Sequence, residues 1–484
     1  GDGFGKDFQL LNLRGEAAEE KTRTLLLGNL LSFYEQQRCF MEQAEPLRPY
    51  NLDKPLWVFV GSSVNAVFAE NRRRRSDVLT VARFLHHFLE NKNDWAIAAI
   101  KMILEGRTGL TGDDGEDLFT GRFAYLRRGS TDPEAIYRGV LAAVFRAAAS
   151  GALHICGIRG RAGELGLRCG ASEEYFGLIY IGDAGAFKNL VRAEGGGIVL
   201  EEDAMRGSLF DSLNDPDAGI NILIGAKKFM EGWNSWRVSH MGLLNIGRRE
   251  GAEIVQLFGR GVRLRGKGLS LRRSAALPGE HPPYIGLLET LNIFAVRADY
   301  MAQFRQYLER EGVETAGRTV PPPDGLSETP RPPVARRGAA ENGMILAPDR
   351  AIRVRVDVSL ELEAMRSAGG GVTTKSLRTG RERVIPPESL DLVDWEAIYL
   401  ALMDFKEQRG FDNLVLRPGA LRAILEARLY ALIADEAAVR PGSFAGRALL
   451  QETVLSILRA YVEEYYRVKT ASGAAGAAPD HPCD

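Results

Sequence analysis

The sequence predicts an α/β protein, a parallel sheet flanked by helices, with a smaller α+β domain on its C-terminal side. Three observations carry this reading. Short apolar runs, "PLWVFVGSS", "ALHIC", "YFGLIYIGD", "INILIG", "VSHMGLLNIG" and "PYIGLLETL", alternate with helical segments, which is the pattern of βαβ units. The proline-rich stretch "VPPPDGLSETPRPPVARRGAA" cannot pack as a helix or a central strand, and it divides the chain. Beyond it, "IRVRVDVSLEL" places Ile352, Val354, Val356, Val358, Leu360 and Leu362 on one face of a half-buried strand.

Taken in order, residues 1–48 read as mostly helical, with Leu25, Leu26, Leu30, Phe33 and Tyr34 near helical spacing and Pro46 and Pro49 closing the segment. A buried strand from Leu56 is stopped by Gly61, and a helix follows over 77–90. "GLTGDDGED" is a loop, and Pro133 in a first turn opens the alanine-rich helix "PEAIYRGVLAAVFRAAAS". The expected division is a connector at 1–48 and an α/β domain at 49–312 with an insertion near 91–175. A linker at 313–345, an accessory domain at 346–470 and a tail at 471–484 without apolar period complete it. Helices around 395–406 and 450–466 finish the accessory domain.

Bulk composition narrows the class. A chain of 484 residues holds roughly three domains, and 45% hydrophobic with 26% charged residues is ordinary for a folded protein. No apolar run approaches the ~20 residues that span a bilayer, and no signal peptide is visible, so a cytoplasmic protein without a membrane partner is expected. Cys39, Cys156, Cys169 and Cys483 form no C-x-x-C pair and complete no zinc spacing, which predicts reduced thiols and no metal site. A net charge of −1 excludes a binder coated in positive charge but leaves room for a local basic surface.

That surface is the stretch "EIVQLFGRGVRLRGKG". Over residues 247–273 there are eight Arg or Lys against two Glu, a local excess of six. Gly261-VRLR-Gly266-Lys267 satisfies G-x-x-x-x-G-K, but Gly268 follows, so no hydroxyl is placed to hold Mg²⁺, and the preceding segment reads as a helix rather than a strand. The phosphate-loop match is accidental. A solvated charged surface is the bland alternative. The spacing favours a third reading: Gln256, Gly259, Arg260 and Arg263 lie at i, i+3, i+4 and i+7 and share one helix face, with Ile254, Val255, Leu257 and Phe258 as the buried side chains around them. Two guanidiniums one turn apart, with glycine removing bulk between them, suit a bound phosphate.

Q-x-x-G-R-x-x-R in this form resembles motif VI of superfamily 2 helicases of the DEAD/DEAH type. Upstream, Glu231-Gly232-Trp233-Asn234 after the strand ending at Gly225 resembles motif V, and "PLWVFVGSSVN" stands where motif IV opens the second RecA-like lobe. The E-G-W-N form followed by Q-x-x-G-R-G-V-R-L is similar to the Res subunits of type III restriction enzymes, a likeness covering about residues 50–310.

The resemblance implies a second, RecA-like helicase lobe in which Arg260 and Arg263 reach the ATP γ-phosphate and Gln256, Gly259, Gly232 and Glu231 touch or orient nucleotide groups. Glu231 reads equally as a helix-surface charge. It implies a nucleic-acid grip through Ser62, Ser63, Asn65, Lys227 and Lys228, with Arg72–Arg75 weighed against a solvated face. ATP and Mg²⁺ are the implied cofactors, held mainly by a first RecA-like lobe whose trailing edge would be "GDGFGKDFQLLNL". The implied partners are DNA, with RNA still open, that first lobe, and a methyltransferase or specificity subunit.

Two positions depart from the family form: Lys227 falls where an Asp contacts ribose, and Asn234 replaces a second Asp. Trp233 and Trp236 read as core more readily than as base-stacking platforms, and no nuclease motif is found in 346–470. "LIADEAA" around Asp435 and Glu436 imitates a D-E-A-x box on the wrong side of motif VI and reads as exposed helix acids. The alternative from another class is a non-catalytic nucleic-acid-binding or adaptor module that kept the lobe and lost its ATP chemistry.

Arginine fingers contribute about 10³–10⁵ in rate only when a phosphate cradle and metal are present. The chain by itself is therefore expected to hydrolyse ATP negligibly. A Mg-dependent turnover of the purified chain that disappears in Arg260→Ala would contradict this.

Overall fold

A computed structural model describes residues 3–14, 19–61, 68–70, 73–110, 116–215, 217–225, 234–244, 251–296, 314–317, 344–359, 361–368, 371–378, 380–442 and 444–475. It divides into two compact units, one formed by 1–318 with 361–377 and one by 319–360 with 378–484.

The first unit is α/β. Its strands are β1 (Asp7–Arg14), β2 (Leu56–Gly61), β3 (Phe68–Glu70), β4 (Arg73–Arg75), β5 (Leu153–Ile158) and β6 (Glu164–Cys169). They continue with β7 (Gly177–Tyr180), β8 (Val199–Asp203), β9 (Ile222–Gly225), β10 (Val238–Leu244), β11 (Thr290–Val296) and β12 (Glu314–Gly317). Its helices include α1 (Glu19–Glu42), α2 (Ala44–Leu47), α3 (Asp77–Glu90), α4 (Ile97–Glu105), α5 (Ala124–Gly129) and α6 (Pro133–Ala143). After these come α7 (Ala184–Glu194), α8 (Gly251–Gly261) and α9 (Ile285–Leu288).

A mixed sheet runs in the order β12, 371–378, 361–368, β1, β11, β10, β2, β9, β7, β6, β5, β8. From β1 to β7 every neighbouring pair is parallel, and antiparallel pairs begin only at β6 and at Glu361–Ala368. Parallel strands buried on both faces need continuous apolar sequence, and β2, β9 and β10 are buried at every position.

The two faces are covered differently. On one, Phe8, Val58, Met241, Leu291 and Ile293 join Leu257 and Phe258 of α8 in a single core. On the other, Trp57 and His240 pack around Phe33 of α1, with ring centroids 5.7 and 5.3 Å from it. Helices α4, α5, α6 and α9 pack against α1 in turn, so a helix enclosed on several sides carries the buried polar Asn29, Glu35, Gln36 and Gln37. Glu35 earns its burial by accepting from the Tyr125 and Leu126 amides at the start of α5, at 2.9 and 3.3 Å.

Local signals explain the helix starts. Ser76 caps α3, and Asp132 caps α6 through the Glu134 and Ala135 amides with Pro133 in the first turn. No helix among the described residues is long and apolar enough to cross a membrane.

Several expectations change. Residues 7–14 are a strand paired on both edges inside this unit, not part of a helical connector. The presumed insertion contributes β5 and β6 to the sheet itself. The run around 283–291 is α9, with the strand beginning only at Thr290. The alternating run beyond the linker is two elements: Val354–Asp357 belongs to the second unit and Glu361–Ala368 to the first. The linker at 320–340 lies outside the described residues.

The second unit has a three-stranded sheet of Val354–Asp357, Tyr430–Ala434 and Arg381–Arg383, and a two-stranded pair of Met344–Ile345 with Leu414–Val415. Helices Trp395–Arg409, Pro418–Glu426 and Phe444–Ala475 close a core that includes Leu402, Ile424, Leu432, Val454 and Tyr461. The last helix extends past Thr470 into the segment expected to be an aperiodic tail. The D-E-A imitation spans the end of a strand and a four-residue helix, where Glu436 pairs with Arg383 at 3.2 Å.

Two glycines of α8 have opposite surroundings. A Cβ on Gly261 would stand 2.9 Å from Leu291 Cδ2 and 3.3 Å from Met241 Sδ, whereas one on Gly259 would meet nothing within 4 Å. Gly261→Leu should therefore destabilise by about 1–3 kcal/mol through overpacking, while Gly259→Ala should stabilise by up to about 1 kcal/mol through helix propensity. Urea denaturation checks both, and an equal effect of the two substitutions would refute the assigned seating of the helix.

Candidate phosphate-facing site

Helix α8 is held to the sheet by its apolar side. Leu257 and Phe258 are buried, and Phe258 meets Phe8 edge-on at 5.2 Å and 84°. The other side is what the spacing anticipated: Gln256, Gly259 and Arg263 are exposed and Arg260 is half-buried. The chain leaves regular helix at Gly261, yet the Val262 amide still donates to Phe258 O at 3.0 Å and that of Arg263 to Arg260 O at 3.4 Å. These bonds continue the turn and keep Arg263 near Arg260. The side chains of Ile254 and Val255 lie outside the described residues.

Arg263 is oriented by a second segment. Its Nη1 donates to Asn234 Oδ1 at 2.8 Å, and Asn234 is tied in turn by Asn214 Nδ2, which donates to its carbonyl at 3.1 Å. Asn234 is thus a neutral acceptor for an arginine. It leaves the guanidinium's charge unneutralised, where an aspartate would have cancelled it.

Beside Arg263 a small cavity opens at the starts of β1, β2 and β10, lined among others by Lys6, Asp53, Trp236, Arg237 and Arg265. Lys6 Nζ donates to Val238 O at 2.6 Å. The buried Arg237 donates only to backbone carbonyls: Lys54 O at 3.0 Å, Ile220 O at 2.7 Å and Leu213 O. Arg265 pairs with Asp53 at 3.1 Å and lies 5.1 Å over the Trp236 ring. Burial pulls Lys6 down to about 8, opposed by the charge of Asp53, and pulls Arg237 down to about 10 against the same carboxylate.

The remaining predicted residues divide simply. Ser62, Ser63, Asn65, Lys227, Lys228, Glu231 and Gly232 lie outside the described residues, as do Arg72 and Trp233. Arg73–Arg75 form β4 against β3. Trp236 is half-buried beneath Arg265, neither core nor an open stacking surface. Sequence reasoning missed Lys6, Asp53 and Arg237, which converge from distant segments and share no local pattern.

Cys39, Cys156 and Cys169 are buried free thiols, and burial pushes each one up, Cys39 to about 12 and Cys169 to about 11. None is a poised nucleophile at neutral pH. Among the described residues no group of three His, Cys, Asp or Glu side chains could hold a metal ion.

Comparison of the chain with protein-family models, curated proteins and solved structures gives no match.

The low Lys6 value fixes a sign. Between about 8 and 10.5 the unfolded chain binds a proton at Lys6 that the folded chain has released, so folding stability rises with pH across that window. Wild type should gain on Lys6→Met by up to about 1.4 kcal/mol per pH unit there. Denaturant midpoints of both proteins from pH 8 to 10 measure it, and parallel curves would contradict the burial of a charged amine.

Proposed function

We propose that the first unit is the arginine-bearing lobe of an ATP-dependent DNA helicase or translocase, RecA-like in arrangement and similar to type III restriction Res subunits. The observation that carries this reading is the polar side of α8, where Gln256, Gly259 and the half-buried Arg260 are joined by Arg263 in the turn that follows, while the opposite side is locked to the sheet.

The arrangement suits a phosphate in three ways. Guanidiniums donate to phosphate oxygens in a planar fork that an ammonium cannot reproduce. Asn234 restricts Arg263 before any ligand arrives, so less side-chain freedom is lost on binding. The open space over Gly259 lets an oxyanion approach the helix backbone beside Arg260.

The fit to ATP rests on these donors. The described residues offer no cage for Mg²⁺, so the metal would be held by the phosphates and by the partner lobe. ATP with Mg²⁺ supplies the phosphoryl group whose transfer drives the cycle. This chain's part is to neutralise charge on that group and to couple its loss to a strand-gripping surface.

The test joins this lobe to the polypeptide encoded upstream, provided that frame supplies G-x-x-x-x-G-K-[ST] and a D-E box. In that protein Arg260→Ala should lower kcat about 10³-fold with KM nearly unchanged, and Arg260→Lys should not restore it. Binding to single-stranded DNA should weaken steeply as salt rises. DNA-stimulated turnover that survives both substitutions would refute the arginine assignment. DNA binding without turnover in any form would turn the reading to the non-catalytic adaptor.

A further inference from the structure

The charge balance of the cavity beside Arg263 is unusual. Lys6, Arg237, Arg263 and Arg265 line it against a single carboxylate, Asp53. Among the described residues that carboxylate is the only acid whose charge acts on either Lys6 or Arg237, and Arg265 already holds it at 3.1 Å. Asp7, next in the chain to Lys6, is engaged instead by Arg273 and Ser367, each at 3.0 Å.

Lys6 and Arg237 are 8% and 4% exposed, and their hydrogen-bonded partners among the described residues are neutral carbonyls. Two buried cations here share one carboxylate that a third cation, Arg265, already holds, an unfavourable arrangement that stability alone gives no reason to build. Lys6 uses one of its three N–H donors on Val238 O. Gln36, also buried, lines the same space with its Nε2 donating to Leu287 O and Thr290 O, at 2.5 and 2.9 Å. The enclosed volume, about 20 Å³, admits one water-sized group. A whole phosphate cannot enter, but one of its oxygens can while the rest stays at the mouth beside Arg263 and Arg265.

We propose that this cavity is an oxyanion well in which Lys6 receives one oxygen of a phosphate group, with Arg263 and Arg265 at the rim. The inference deepens the nucleotide-dependent reading and rests on it only through Arg263, since Arg260 does not line the cavity. The phosphate has two possible sources, a nucleoside triphosphate or a nucleic-acid backbone. Lys6 becomes a ligand on the same polypeptide segment as β1, reaching the site from the far end of the chain.

Occupancy should move protons. Asp53 and His240 act on Lys6 through their charge or nearness, the three arginines line the same cavity, and burial holds the His240 imidazole well below its ordinary value and therefore neutral. An entering anion favours charged Lys6, so binding near pH 8.5 should take up a proton.

Calorimetric titration of the purified chain with inorganic phosphate, in two buffers of different ionisation enthalpy, reads affinity and proton uptake together. Lys6→Met should weaken binding by at least about tenfold and abolish the uptake, whereas Asp53→Asn, which removes the competing carboxylate and frees Arg265, should tighten it several-fold. Displacement of phosphate by ATP but not by oligothymidylate identifies a nucleotide as the source, and the reverse identifies a strand. Equal affinity in wild type and Lys6→Met overturns the well, as does weaker binding in Asp53→Asn or no binding up to about 10 mM phosphate. If Lys6→Met does not fold, the Asp53→Asn arm decides alone. Turnover loss on Arg260→Ala in the joined protein reads the nucleotide assignment separately.

Discussion

The seating of α8 on the parallel sheet is the constraint from which the site follows. Phe258 against Phe8 and the close approach at Gly261 fix both the height and the rotation of the helix. Once that rotation is set, 3.6 residues per turn place Gln256 and Gly259 outward with Arg260 half-buried beside them, and the turn that continues past Gly261 keeps Arg263 near Arg260. The backbone that carries these donors is ordered by core packing on the opposite side of the helix, which is how a set of side chains keeps its geometry.

The neighbouring cations show the same economy. Arg237 and Lys6 stand just before the opening of β10 and β1, where backbone carbonyls at the strand ends accept from them. Strand ends supply acceptors without negative charge, so a positive potential is retained where side-chain carboxylates would have erased it. Asp53 divides its influence among three cations and satisfies one by direct contact. The electrostatic character of the region thus comes as much from withheld acids as from accumulated bases.

Legibility in the sequence tracked how local each signal was. The polar face of α8 was readable because helical spacing is a property of eight consecutive residues. The apolar runs of β2, β9 and β10 were readable because burial on both faces leaves no polar alternation to confuse them. Pro133 marked a helix start through backbone chemistry that acts within one turn. β1 was missed since "DFQLLNLR" is too short and mixed to declare a period, and its identity depends on Thr290–Val296 as a neighbour. β6 and β8 mix charged residues into short strands and carry no apolar run of strand length. Lys6 and Val238 are 232 positions apart, and nothing in either neighbourhood announces the other.

The path of residues 361–377 has a consequence for how the chain can be divided. Composition marks the proline-rich stretch as the natural place to cut, yet Glu361–Ala368 lies beyond it and covers the open flank of β1 along six paired positions, from Gln9 with Arg366 to Arg14 with Glu361. A polypeptide ending at the prolines would leave β1 with a bare row of amides and carbonyls, the template on which stray strands from other molecules assemble. During synthesis the same geometry keeps that flank uncovered until more than 360 residues have left the ribosome. The sheet is thus completed by a strand that lies past the linker, and β1 is sheltered only once that strand arrives.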